Sequence, residues 1–329
     1  MTTPFYRAFE DKHRGSRELI KERLRVYLPF FIPLAGLHPH LPTLDLGCGR
    51  GEWLELMADN HITAHGVDLD EGMLAACRER GLSVLNTDAL AHLQTQSGHS
   101  LLAITGFHIA EHLPFDLLQA LFTQARRVLI PGGLLILETP NPENLLVGAS
   151  HFYMDPTHQR PLPSQLLSFL AEHHGLGPVK LLRLQEPPHL ASGGTVSLYD
   201  VLANVSPDYA IVAQTPSPPP HAPPPTANTT ANTTAAATPT APLRQQLANA
   251  FAQEQGLSLP ALASRYDQQQ QHTHQQMADM LAIAQQLRQQ ITQQAQQLNA
   301  THASLSWRIT RPLRWAAKQL RGKTKPGPP

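Results

Sequence analysis

The run Leu44-Asp45-Leu46-Gly47-Cys48-Gly49-Arg50-Gly51-Glu52-Trp53 decides the fold. An apolar stretch from Leu41 to Leu46 reads as a buried strand, and it ends in glycines at alternate positions, Gly47, Gly49 and Gly51. Trp53, Leu54, Leu56 and Met57 then recur at helical spacing. A strand that turns into a helix over glycines lets a ligand reach backbone amides, because no side chain stands in the way. The dinucleotide fingerprint Gly-x-Gly-x-x-Gly fails here, since Glu52 stands where its third glycine belongs.

Outward from this loop the same rhythm repeats. Ile62 to Val67 reads as a short strand, with Asp68 at its end, where a carboxylate can accept two ribose hydroxyls. Leu82 to Leu85 is a third strand, followed by Asn86-Thr87-Asp88-Ala89. Leu101 to Phe107 is a fourth, followed by His108-Ile109-Ala110-Glu111-His112-Leu113-Pro114. Pro131-Gly132-Gly133 turns into a fifth, Leu134 to Leu137, and Val179–Leu184 and Tyr209–Ala213 supply the last two. Strands alternating with helical patterns imply a parallel sheet with helices on both faces and ligands at the carboxyl ends of the strands.

Asp45 two residues before Gly47, the Gly-x-Gly-x-Gly spacing and the ordered elements after it resemble motif I and its successors in the class I S-adenosylmethionine-dependent methyltransferases. The resemblance implies an α/β fold, a doubly wound, mostly parallel, Rossmann-like sheet of seven strands with one antiparallel strand at its edge. It implies S-adenosylmethionine as cofactor, held by Asp45, Gly47, Cys48, Gly49, Gly51, Asp68, Leu69, Asp88, Ala89 and Phe107. Asp88 would meet the adenine amino group, and Arg17, on a helical lid over residues 1–37, would pair with the methionine carboxylate.

Composition narrows the class. Across 329 residues the formal net charge is zero, so nucleic acid is not an expected partner. Two cysteines, Cys48 and Cys77, read as free thiols of a reducing compartment. The N-terminus has no apolar signal region, and no stretch is apolar for long enough to span a bilayer, so a cytoplasmic location is expected.

After a core over residues 38–214 the composition changes. Residues 215–242 are a Pro/Ala/Thr-rich linker expected to be disordered. Residues 243–305 are rich in Gln and Ala. Met277, Ala284, Ile291, Leu298 and Leu305 recur every seven residues, and Met280 and Leu287 fill the second heptad position until Gln294 and Thr301 break it. A short coiled coil, with self-pairing through residues 270–305, is the expectation. The tail, residues 306–329, has no acid. Trp307 and Trp315 among Arg308, Arg311, Arg314 and Lys318 suit an anionic membrane surface through residues 306–325, which would make the protein peripheral at the inner membrane.

Methyl transfer to oxygen needs an oriented acceptor and, often, a group to take its proton. His112 and His158 are the candidates, with Glu111 or Asp155 to orient them. His108-x-x-Glu111-His112 also matches an inverted zinc-protease pattern, but that motif needs a helix, and here it follows a strand, so protease activity is not expected. The segment also resembles the acidic cluster after strand four of some quinone-pathway O-methyltransferases, which would hold a divalent ion, but His108 stands where they have an acid, and no metal ligand is assigned. Phe5–Leu24, Asp155-Pro156-Thr157-His158 and Ser306–Arg314 resemble more narrowly the bacterial O-antigen chain-terminating methyltransferases. That likeness implies a glycan or phosphorylated acceptor and a glycosyltransferase partner. A quinone or lipid O-methyltransferase and a non-catalytic scaffold are the rival classes; intact Asp45, Gly47, Gly49, Asp68 and Asp88 argue against the scaffold.

Overall fold

The computed structural model describes residues 15–217, 240–253, 256–303 and 308–321, and divides the chain at Tyr266 into two units. The first unit is built on seven strands: β1 (Thr43–Leu46), β2 (Ala64–Asp68), β3 (Val84–Asn86), β4 (Leu101–Phe107), β5 (Leu129–Pro140), β6 (Val179–Leu184) and β7 (Asp208–Gln214). Their order is β3-β2-β1-β4-β5-β7-β6. Only β7 runs against the others, pairing antiparallel with both β5 and β6. The antiparallel strand therefore lies one place in from the edge, not at it as expected. Burial explains the placement: Tyr209 to Ala213 are fully buried and apolar on both faces, whereas β6 is half-exposed along most of its length and suits an edge.

Helices α1 (Arg17–Leu24) and α2 (Leu28–Leu37), joined by a 3-10 turn, precede the sheet. Between the strands lie α3 (Glu52–Asp59), α4 (Glu71–Glu79), α5 (Ala89–Thr95), α6 (Phe115–Val128), α7 (Leu145–Ala149), α8 (Ser164–His173) and α9 (Pro188–Ala191). On one sheet face α6 and α8 bury Leu118, Leu121, Phe122 and Leu167. On the other, Tyr27, Phe30, Phe31, Trp53 and Phe107 form an aromatic cluster. The chain winds one way from β1 to β3 and the other way from β4 onward, so a crevice opens at the carboxyl ends of β1 and β4.

The core does not end at Gln214. Thr215 is fully buried, its N–H bonded to the Gly133 carbonyl, and α10 (Thr240–Ala252) lies on α2. Leu247 and Ala250 are buried there, and Leu243 comes so close that a Cβ on Gly36 would lie 2.9 Å from its Cδ1. Leu243, Leu247, Ala250 and Phe251 make a core-facing helical stripe inside the Gln-rich region, which corrects the boundary expected at residue 243. Most of the expected linker, residues 218–239, lies outside the described residues.

A 45-residue helix, α11 (Leu259–Ala303), begins in the first unit, where Leu262 is buried against Leu190, Val196 and Val205. In the second unit the heptad positions Met277, Met280, Leu287, Ile291 and Leu298 are exposed on this helix. The tail contains α12 (Arg311–Arg321), with Leu313 and Trp315 exposed; Trp307 and residues beyond 321 lie outside the described residues. No described helix is long and apolar enough to cross a membrane.

Candidate active site

The glycine loop leaves β1 with Gly47, Gly49 and Gly51 all at positive φ (66°, 50° and 79°), conformations that side chains resist. Asp68, the last residue of β2, braces the loop. Its Oδ2 accepts the Gly49 N–H and its Oδ1 the Asp70 N–H, each at 2.8 Å. Asp70 caps α4, and Asp88 caps α5 by accepting the Ala91 N–H at 2.8 Å.

One cavity gathers Gly47, Gly49, Asp68, Leu69, Asp88, Ala89 and Phe107. A second is lined by Asp45, Cys48, Glu138, Asp155, His158 and Asp208. Gly47, Phe107, His108 and His112 line both, so the two cavities meet there. Gly51 lines neither: it starts α3, where a Cβ would run into Leu82 and the Cys77 sulfur. Arg17 is also elsewhere. Its guanidinium bonds the Arg50 carbonyl and Glu55, with Glu52 3.6 Å away, so it ties α1 to the glycine loop and α3. Arg23, further along the same helix, is the one that faces the second cavity.

His112 sits in a 3-10 turn after β4 (Ala110–His112), and His158 lies in the loop after β5; their ring centroids are 4.7 Å apart. Hydrogen-bond accounting sets their tautomers. Thr157 gives its hydroxyl proton to Asp155 Oδ1 at 2.6 Å, so its oxygen must accept from His112 Nδ1 at 2.9 Å. His158 Nδ1 donates to the Phe152 carbonyl at 2.6 Å. In the neutral rings both Nε2 atoms therefore carry lone pairs. Glu111 does not orient this pair directly. It is fully buried, accepting from Thr139 Oγ1 at 3.0 Å and from His108 Nδ1 at 3.2 Å.

A family model described as a methyltransferase domain matches residues 43–133. A protein of Mycolicibacterium smegmatis (strain ATCC 700084 / mc(2)155) named "Probable S-adenosylmethionine-dependent methyltransferase" is 34% identical over 134 residues, 40% of this chain and 50% of that protein. Ribosomal RNA large subunit methyltransferase G of Pseudomonas putida (strain W619) is 32% identical over 116 residues, 30% of this chain and 31% of that one. The chain thus spans half or less of the length of these curated relatives. A solved S-adenosylmethionine-dependent methyltransferase from Archaeoglobus fulgidus is 33% identical with a TM-score of 0.56, covering 64% of this chain and 99% of that structure. The chain belongs to the S-adenosylmethionine-dependent methyltransferases.

The first cavity of this methyltransferase fits the cofactor of its family. Asp68 keeps a free lone pair on each oxygen at the strand end, suited to a ribose diol. Gly47 leaves open a space where a Cβ would lie 3.2 Å from Ile109. Asp45, anchored by the Thr105 hydroxyl at 2.7 Å, lines the way into the second cavity.

The methyltransferase also holds a polar cluster that sequence reasoning missed. His108, at φ +57°, lies among Glu111, Glu138 and Asp208. Its Nε2 is 3.6 Å from Glu138 Oε1. Glu138 accepts from the Tyr27 hydroxyl and, at 3.4 Å, from Gln185 Nε2. Burial works against a charge on His108, but Asp208, Glu111 and Glu138 outweigh it and raise its pKa well above the imidazole range. Burial pushes Asp208 up to about 6, with His108 pulling it back. Burial lowers the pKa of His112, against the attraction of Glu111. The one signal available beforehand was Glu138 itself, a charge inside an apolar strand.

Proposed function

We propose that this methyltransferase O-methylates a cell-surface glycan, at a sugar hydroxyl rather than at a phosphate. The observation that carries this is the pair of imidazole lone pairs, His112 Nε2 and His158 Nε2, beside the junction of the two cavities. When bound, S-adenosylmethionine supplies a methyl group that its sulfonium makes electrophilic. The chain's own part is to hold the hydroxyl near that carbon and help its proton leave. The second cavity is lined by Asp45, Glu52, Glu138, Asp155 and Asp208 against Arg23 and a cationic His108, an acidic excess that suits a neutral polyol better than a phosphate or an apolar quinone.

The wider proposal keeps a glycosyltransferase as partner. The exposed heptad face of α11 supports self-pairing, and exposed Leu313 and Trp315 beside Arg311, Arg314 and Lys318 support contact with an anionic membrane surface at the cytoplasmic side. The test is transfer of labelled methyl from S-adenosylmethionine to a panel of neutral oligosaccharides, phosphorylated oligosaccharides and quinols. Label on a sugar hydroxyl is expected; label on the quinol alone refutes the glycan. His158→Ala should lower transfer about 10²–10⁴-fold while leaving S-adenosylhomocysteine affinity unchanged.

A further inference from the structure

His112 and His158 share their corner of the site with Glu111. One ligand atom of each lies within 4.8 Å of those of the other two. Metal–ligand bonds of about 2.0–2.2 Å place neighbouring donors about 3–4 Å apart, so small side-chain shifts close the set around one ion.

The hydrogen bonds around the three residues suit that use. Both histidines give their Nδ1–H away from the site, His158 to a backbone carbonyl and His112 to a threonine anchored on Asp155. Metal-bound histidines are held in this manner, with the outer nitrogen donating so that the inner one keeps its lone pair. Glu111 is positioned by the Thr139 hydroxyl and by His108, and each of its oxygens retains a lone pair. A backbone bond from the Gln159 N–H to the Glu111 carbonyl, 2.8 Å, joins the two loops that carry the three residues. His112 lines both cavities, so an ion here would stand where cofactor and acceptor meet.

We propose that Glu111, His112 and His158 bind a divalent transition-metal ion that coordinates the acceptor hydroxyl. This rests on the assignment of the histidine pair as the activating groups, and it says how they act. Two imidazoles and one carboxylate favour the ions from Mn²⁺ to Zn²⁺ over Mg²⁺ or Ca²⁺. A coordinated hydroxyl gives up its proton more readily, here to water in the open cavity.

The test uses the full-length chain, stripped with a chelator and titrated with Co²⁺, with visible absorption and calorimetry as readouts. Saturable binding of one Co²⁺ per chain, displaced by Zn²⁺, is expected. His112→Ala and His158→Ala should each weaken it at least about a hundredfold. Thr157→Val, which removes the outer partner of His112 and its tether to Asp155 but no proposed ligand, should weaken it about ten- to a hundredfold. His189→Ala, at a separate cluster, should leave it unchanged. S-adenosylhomocysteine binding, measured on every variant, reports an intact fold. Equal Co²⁺ affinity in wild type and the double variant His112→Ala/His158→Ala overturns the metal site. So does a wild type that binds S-adenosylhomocysteine but no Co²⁺, and that outcome leaves the methyltransferase assignment standing. A folded wild type that binds no S-adenosylhomocysteine overturns the cofactor assignment and the metal inference with it.

Discussion

Asp68→Ala removes the carboxylate that braces the glycine loop. In the wild type each oxygen accepts one amide N–H at 2.8 Å and keeps one lone pair toward the cofactor cavity. A hydrogen bond to a charged partner contributes about 1.5–3 kcal/mol, and each 1.4 kcal/mol is about tenfold in affinity. Loss of the ribose contacts should therefore weaken S-adenosylhomocysteine binding roughly ten- to a hundredfold. The Gly49 and Asp70 amides also lose their acceptor. A fully buried orphan costs about 1–3 kcal/mol, and water reaches this rim, so about 1–2 kcal/mol in total is expected, or a melting temperature lower by about 2–6 °C. Asp68→Asn keeps one acceptor oxygen but turns an NH₂ toward an amide donor, and should fall between the two. Titration calorimetry with S-adenosylhomocysteine and a thermal melt on the same samples separate the effects. Affinity within threefold of wild type, with a lowered melting point, would leave Asp68 as a brace and refute its role at the ribose.

Leu247→Ala should cost about 2–4 kcal/mol, because Leu247 is buried in the core cluster that α2 shares; an unchanged denaturation midpoint would remove α10 from the core. Gly66→Ala should destabilise by about 1–3 kcal/mol, since the added Cβ would lie 2.6 Å from the Cys48 sulfur and 2.7 Å from Leu54 Cδ1; a wild-type melting curve would contradict that packing. Asp200 is buried, which opposes its charge, yet Ser197, Asn204 and His189 outweigh this and hold its pKa below the carboxylate range. With the folded pKa depressed, its contribution is present above the unfolded value near about 4 and is lost as pH falls through the folded one. Asp200→Asn should thus be less stable than wild type at neutral pH, with the gap closing in strong acid; a gap of constant size across denaturant melts would refute the linkage.

The cofactor half was legible because its signals are local. Strand, glycine turn and capping carboxylate follow one another within a few residues, so Gly47, Gly49, Asp68, Asp88 and Ala89 could be named together and do line one cavity. Arg17 and Glu111 were harder, because a charged side chain is defined by its partner. Glu55 and the Arg50 carbonyl claim the first; His108 and Thr139 claim the second. The Tyr27, Glu138 and Asp208 group comes from segments separated by 70 residues or more, and only the packing of the 3-10 turn Arg25–Tyr27 against the paired strands β5 and β7 brings it together. The stripe from Leu243 to Phe251 was hidden by composition, since glutamine between its apolar residues masked a core helix.

Because β7 runs against the sheet, the chain enters the site at Gln185, just past the end of β6, and returns to it at Asp208, the first residue of β7. Residues 186–207 between them form a loop with its own small core of Leu190, Val196 and Val205 and its own polar knot at Asp200. The excursion is a cassette anchored at both ends on the wall of the second cavity and at neither on the glycine loop. If the acceptor binds in that cavity as proposed, a graft of this cassette from a relative would recast acceptor choice while sparing the cofactor half. It would have to bring its docking partner as well, since Leu262 completes its core and Arg265 on α11 clasps the carbonyls of Leu190 and Gly194 at 2.9 and 2.8 Å.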